Sequence, residues 1–421
     1  MKLVARKSNL KGSILIPASK SHTIRAVALA TMASGTSVLR NPLKSADALS
    51  SVEAAQVFGA EVTIDDDFII KGTGGSIKPV KPVIDVGNSG TTLRIFTALA
   101  ALSGTPVSFD GDNSIRQRPM TPLFSALENL GVNINSTNQK CPFTITGPLQ
   151  GGTTKVDGIS SQFLTALLFA TPLAQADTEI EVYNLHEKPY IDITLDWLNY
   201  QDIHYEQENY NVFKITGNQQ YKAFDRYIPA DFSSATFALC AAAITGSTIE
   251  IEGLDFSDHQ GDKEVFSYIE KMGVKITRKN KKVIVEGGNL KGIDIDMNAT
   301  PDALPAMAVA GCFAEGKTRL LNVAQARLKE CDRIKAMNTE LSKMGANISE
   351  LEDGLIVEKS DLQGSEVHGY NDHRMVMALT IAGMAASGDT VTDTAESMKI
   401  TYPSFVDDMQ KLGANIEIIN D

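Results

Sequence analysis

Cysteine is scarce and scattered in this sequence. Its four residues, Cys141, Cys240, Cys312 and Cys331, form no CxxC pair and have no histidine-rich partner segment, which speaks against a disulfide framework and a structural zinc site. The histidines, His22, His186, His204, His259, His368 and His373, are equally dispersed, so spacing proposes no metal cluster. No apolar run approaches the roughly eighteen residues of a membrane span. Ile14-Leu15-Ile16 before Pro17 is too short for a secretory segment, and a cytoplasmic protein is expected. Positive charge is also in deficit: 39 Lys and Arg against 51 Asp and Glu leave a net charge of −12. Such a chain has no general affinity for nucleic acid or anionic lipid, so any anion site has to be local and enclosed.

What is present is ordinary globular composition, with 43% hydrophobic and 21% charged residues over 421 positions, a length that implies two or three domains. The stretch Pro17-Ala18-Ser19-Lys20-Ser21-His22-Thr23-Ile24-Arg25 runs into an apolar helical pattern, Ala26 to Ala33, stopped by Gly35. Ser19 or Ser21 can cap that helix, and its free N–H groups favour an anion before Lys20 and Arg25 add full charges. The arrangement returns. A second helix in each unit ends on a common signature, at Phe58-Gly59-Ala60, Leu130-Gly131-Val132, Met272-Gly273-Val274, Met344-Gly345-Ala346 and Leu412-Gly413-Ala414, with a degenerate copy at Tyr200-Gln201-Asp202-Ile203. Glycine at positive φ closing a helix before an alternating strand such as Val283-Ile284-Val285 explains the signature. The period of ~70 residues is longer than that of usual solenoid repeats and gives two globular α/β domains of three units each, with a cleft. The break is expected within Asp225 to Ala230.

The first helix of each unit is apolar all round, which predicts burial: Phe163 to Ala176, Ala235 to Thr245, Ala303 to Ala314 and Val376 to Ala386 are examples. Their starts are polar, at Ser19-Lys20-Ser21, Asn88 to Thr92, Ser160-Ser161-Gln162, Asp231 to Ser234, Thr300-Pro301-Asp302 and Asn371 to Arg374. Near them stand Lys20, Arg25, Arg94, Arg116, Arg118, Lys329, Arg333 and Arg374. Helix N-termini and guanidinium forks together match phosphate and carboxylate, so a small ligand with several negative charges is implied.

With those residues assembled, the chain resembles the 5-enolpyruvylshikimate-3-phosphate synthase family from end to end. The likeness rests on Ser19-Lys20-Ser21 with Arg25, Gly87 to Arg94, Arg116-Gln117-Arg118-Pro119-Met120, Ser160 to Leu164, Lys188-Pro189-Tyr190-Ile191-Asp192, Pro301-Asp302-Ala303, Arg327 to Arg333 and Asn371 to Met375. It implies two domains, 19–228 and 229–421 with 1–18, each of three βαβαββ units, with the active site in the cleft between them. The implied reaction passes the enolpyruvyl group of phosphoenolpyruvate to the 5-hydroxyl of shikimate 3-phosphate and releases phosphate. No cofactor, metal, nucleic acid or membrane is involved, and a monomer is expected. Lys20, Ser21, Arg25, Ser160, Ser161, Gln162, Tyr190, Asp302 and Lys329 would hold shikimate 3-phosphate. Lys20, Gly90, Arg118, Gln162, Arg333 and Arg374 would hold phosphoenolpyruvate, where the family also takes glyphosate.

Three positions depart from the family pattern. Glu187 stands where a serine touching the substrate phosphate is common, and is expected to turn away; Gln325 replaces an asparagine; Lys399 is displaced by one residue. Addition and elimination across an enol need two proton-transfer groups. Asp302, opening a buried helix, is expected to be the base. Glu330, at about 100° per residue on the apolar stripe with Ile334 and Met337, is expected to be the donor, and Lys20 completes the catalytic set. The nearest rival, UDP-N-acetylglucosamine enolpyruvyl transferase, carries a cysteine in the loop that here reads Gly111 to Gln117 without a thiol. A non-catalytic six-repeat binding scaffold is the alternative of another class.

Overall fold

The helix-stop signature sets the local geometry. In the computed structural model, which describes residues 1–420, Gly59, Gly131, Gly273, Gly345 and Gly413 each follow a helix at φ between 88° and 110°. In the degenerate copy Asp202 takes the same position at φ 55° after the helix Lys188–Tyr200, a conformation that a short polar side chain tolerates.

Each unit forms one four-stranded sheet, six in all, with one strand order throughout. In the third, Gly152–Asp157 lies parallel to Thr178–Tyr183, and the helix Ser161–Ala170 makes the crossover. Val212–Ile215 then pairs antiparallel with both Thr178–Tyr183 and Tyr205–Glu208. Three sheets are contiguous in sequence and three borrow a strand. Asp225–Tyr227 completes the first beside Thr36–Arg40, and Lys11–Leu15 completes the fourth beside Thr248–Glu252. Lys2–Arg6 enters the sixth between Thr390–Thr392 and Asn415–Ile419.

The chain divides into two compact units, Ala18–Ile228 and Met1–Pro17 with Pro229–Asp421. Each has its own apolar core, built around three helices: Lys20–Met32, Gly90–Ala100 and Ser161–Ala170 in one, Phe232–Thr245, Leu304–Cys312 and His373–Gly383 in the other. The helices from Gly90 and His373 are buried at every residue, as their apolar sequence predicts. Polar residues inside them are satisfied locally: the hydroxyls of Thr31, Thr97, Thr236 and Thr380 donate to carbonyls four residues back. Two boundaries differ from expectation. The Ser161 helix stops at Ala170, where Pro172 sits in a 3-10 turn, and Asp302 lies in a 3-10 turn, Pro301–Ala303, leading into the helix Leu304–Cys312. No helix among the described residues is long and apolar enough to cross a membrane.

Candidate active site

In the unit Ala18–Ile228 the three buried helices start on serine caps. Ser19 accepts from His22 N–H, Ser89 from Thr92 N–H and Ser160 from Gln162 N–H. Lys20 opens the first helix, and its ammonium sits 3.2 Å from Asp47 in the following helix. Ser21 gives its carbonyl to Arg25 Nη1 at 3.0 Å. The remaining Arg25 bonds also go to neutral acceptors: the Thr194 and Thr165 hydroxyls and the Tyr190 carbonyl. Burial pulls this guanidinium down to about 10, still well above neutral pH. Among the described residues it is a buried cation bonded to no carboxylate, a strong local source of positive potential.

Gly90 begins the next helix. A methyl group there would collide with Arg94 Nη1 and lie 2.7 Å from Arg118 Nη1. Gln162 joins the set, accepting from Arg94 at 2.8 Å and donating to Thr91 at 3.2 Å. Arg118 donates to Asn88 and Ser114, each at 3.2 Å. Gly90, Arg94, Arg118 and Gln162 thus come together at two helix starts. Arg116 does not join them: it forms an exposed bidentate pair with Asp110. Cys141 senses both Asp110 and Arg116, and burial pushes its thiol up to about 12, so no thiolate is available beside the loop Gly111 to Gln117.

Glu187 corrects the sequence expectation. It does not turn away but is buried, and its carboxylate accepts from the Ser161 hydroxyl at 2.8 Å and the Ser161 N–H at 3.3 Å.

In the other unit the charges converge on Asp302. Its Oδ1 accepts from Arg333 Nη1 at 2.9 Å and lies 3.8 Å from Lys329 Nζ; its Oδ2 lies 2.9 Å from Arg374 Nη2. Arg333, 1% exposed, also bonds Glu330 and clasps both oxygens of Asp372, at 2.8 and 3.3 Å. Burial lowers the Arg333 proton affinity, but Asp372, Glu330 and Asp302 outweigh it and hold the guanidinium well above its ordinary value. Glu330 is not on a helix. It precedes the helix Arg333–Lys343, which Asp332 caps, and its half-buried carboxylate is held by Arg333 rather than set on an apolar stripe. Lys399 is exposed in the 3-10 segment Ala395–Ile400, and Gln325 is buried, donating to the Asn298 carbonyl with its Oε1 unpartnered.

Several members of these clusters carry no motif of their own. Asp47 shows only as an acid in the first turn of a helix, and Asp372 as a helix cap; their partners Lys20 and Arg333 are distant in sequence. Ser233 accepts from Arg374 Nη1, and beside it Asp262 is pushed up to about 7, mainly by burial and then by the charge of Asp302. Among the described residues no group of three or more His, Cys, Asp or Glu could hold a metal ion.

Capped helix starts, buried guanidinium groups and an acid ringed by cations are the chemistry of a protein that handles small polyanions. The family model for EPSP synthase (3-phosphoshikimate 1-carboxyvinyltransferase) matches residues 4–409. A 3-phosphoshikimate 1-carboxyvinyltransferase of Acetivibrio thermocellus is 50% identical over 419 residues, 99% of each chain, and one of Methanocaldococcus jannaschii is 45% identical over 99% of each. The solved EPSP synthase of Acinetobacter baumannii superposes with a TM-score of 0.84 at 26% identity, covering 100% of both chains. The chain belongs to the EPSP synthase family.

Proposed function

We infer that the chain carries out the reaction of its family, transfer of the enolpyruvyl group from phosphoenolpyruvate to the 5-hydroxyl of shikimate 3-phosphate, and we propose how its residues share the work. In the unit Ala18–Ile228, Lys20, Ser21, Arg25, Ser160, Ser161, Gln162 and Tyr190 bind shikimate 3-phosphate. Lys20, Gly90, Arg118 and Gln162 also receive phosphoenolpyruvate. In the other unit Asp302 and Lys329 serve shikimate 3-phosphate, and Arg333 and Arg374 serve phosphoenolpyruvate.

The observation that carries this reading is the sharing of Arg333 and Arg374 with Asp302. An arriving carboxylate or phosphate competes for those guanidinium groups, and the cations that hold Asp302 are then divided with the substrate. In the addition step Asp302 takes the proton of the 5-hydroxyl as its oxygen bonds to C2 of the enol, and Glu330 delivers a proton to the methylene carbon. In the elimination the methyl carbon returns a proton to the Glu330 carboxylate, the double bond re-forms, and inorganic phosphate leaves with the proton that Asp302 held. Lys20 neutralises the phosphate in both steps. Each proton transfer is worth about 10²–10⁴ in rate.

A cytoplasmic, monomeric enzyme belongs to the same proposal. The four free thiols support the first part, since oxidising compartments favour pairing. Phosphate release tests the whole: it is expected only when both substrates are present. Release with phosphoenolpyruvate alone, or activity with UDP-N-acetylglucosamine as acceptor, would overturn it.

A further inference from the structure

Glu187 holds a place that the family pattern gives to a serine. It stands at φ 58° just before the helix Lys188–Tyr200 and is 2% exposed, and its Oε2 sits on two donors of the first residue of a different helix, Ser161–Ala170. All three buried helices of this unit start on neutral hydroxyl caps, whereas in the other unit the helices from Phe232 and His373 start on Asp231 and Asp372. A hydroxyl cap satisfies one N–H and leaves the positive end of the helix uncompensated. At the Ser161 helix a carboxylate from outside the helix is laid over that end. It engages the hydroxyl and N–H that a phosphoryl group would need, and two anions cannot share those donors without strong repulsion.

We propose that Glu187 is an internal occupant of the seat for the phosphate of shikimate 3-phosphate: its carboxylate holds the Ser161 donors until the substrate displaces it. It thereby sets how strongly the enzyme favours shikimate 3-phosphate over unphosphorylated shikimate. The proposal rests on the assignment of Ser160 and Ser161 to that phosphate. A glutamate rarely adopts this backbone conformation, and such strain persists where the surroundings fix it. The hydrogen bonds to Ser161 are part of that fixation, so the side chain is placed as an occupant rather than as a solvated surface acid.

Two variants of the full chain test this. Glu187→Gln keeps the shape and an acceptor but removes the charge, and Glu187→Gly removes the side chain and suits the left-handed backbone. Dissociation constants for shikimate 3-phosphate and for shikimate are measured by calorimetry, with thermal midpoints as a check on folding. Affinity for shikimate 3-phosphate should rise about tenfold or more in Glu187→Gly, the size of one hydrogen bond to a charged group, and less in Glu187→Gln, while shikimate changes by no more than about twofold. Unchanged or weaker binding of shikimate 3-phosphate by a folded variant overturns the proposal; if the glycine variant does not fold, the glutamine variant decides. Ser160→Ala identifies the source of a failure. If it leaves shikimate 3-phosphate binding intact, the phosphate seat itself is misassigned. If it weakens binding while the Glu187 variants bring no gain, the seat stands and Glu187 does not occupy it.

Discussion

Asp302 receives two guanidinium groups and an ammonium, a crowding that neither a helix cap nor a surface acid requires. Asp302→Asn keeps size and hydrogen-bonding reach but removes the proton acceptor, so kcat should fall by ~10²–10⁴ while shikimate 3-phosphate still binds. Turnover within about tenfold of the parent would move the base role elsewhere, with Lys20 next. Gly90→Ala pushes a methyl group into the Arg94 and Arg118 guanidinium ends, so KM for phosphoenolpyruvate should rise and glyphosate should inhibit less. Equal inhibition of parent and variant would refute that placement. Asp262 gives a pH prediction. Its carboxyl is raised to about 7 in the folded chain, first by burial and then by Asp302, against about 3.9 when unfolded. The folded state therefore binds more protons between those values. Its contribution to stability is full below about pH 4 and is lost as pH rises through about 7. Melting temperatures of the parent and Asp262→Asn, followed from pH 4 to 8, should show the variant gaining on the parent across that window.

At the scale of elements, the glycine that closes the second helix of a unit does the work its sequence pattern suggested. Gly345 is the cleanest place to measure it: at φ 88° a Cβ would come no nearer than 4.0 Å to the Asp361 carbonyl, so Gly345→Ala is charged with conformation alone. It should lower stability by about 1–2 kcal/mol in urea titration. The five glycine signatures and the apolar helices were legible because both rest on local chemistry, repeated often enough to stand out. The borrowed strands were not legible in local pattern; only the family resemblance assigned residues 1–18 to the second domain. Asp225–Tyr227 is three residues long, too short to show an alternating pattern, and Lys2–Arg6 finds both its partners beyond residue 389. Glu330 was misread for a related reason: its burial was credited to a helix that begins only after the cap at Asp332. Lys20, Arg333 and Arg374 could be singled out as cations, but their pairing with Asp47, Asp372 and Ser233 joins residues far apart in sequence and is fixed only by folding.

For the whole molecule, the two cores set the rules. The core of Ala18–Ile228 is built of residues from that segment, so a fragment of residues 18–228 should fold alone and melt cooperatively. A fragment beginning at Pro229 lacks Lys2–Arg6 and Lys11–Leu15, and its sixth sheet loses the strand that joins Thr390–Thr392 to Asn415–Ile419. Circular dichroism on heating should show a sharp transition for the first fragment and none for the second; a cooperative second fragment would contradict this account of the sheet. The same strand has a consequence for synthesis. A ribosome adding about 5–20 residues per second makes Asn415–Ile419 roughly ten to forty seconds after Ile228. Until Thr390–Thr392 is made, late in that interval, the segment Lys2–Arg6 has emerged without a partner, while the intervening unit can already close on itself. Its apolar centre, Leu3-Val4-Ala5, is the kind of stretch that seeks a stray sheet edge, and the charges of Lys2 and Arg6 flank it on both sides. Those two cations act first as gatekeepers of the nascent chain, keeping the strand available for the last sheet to form.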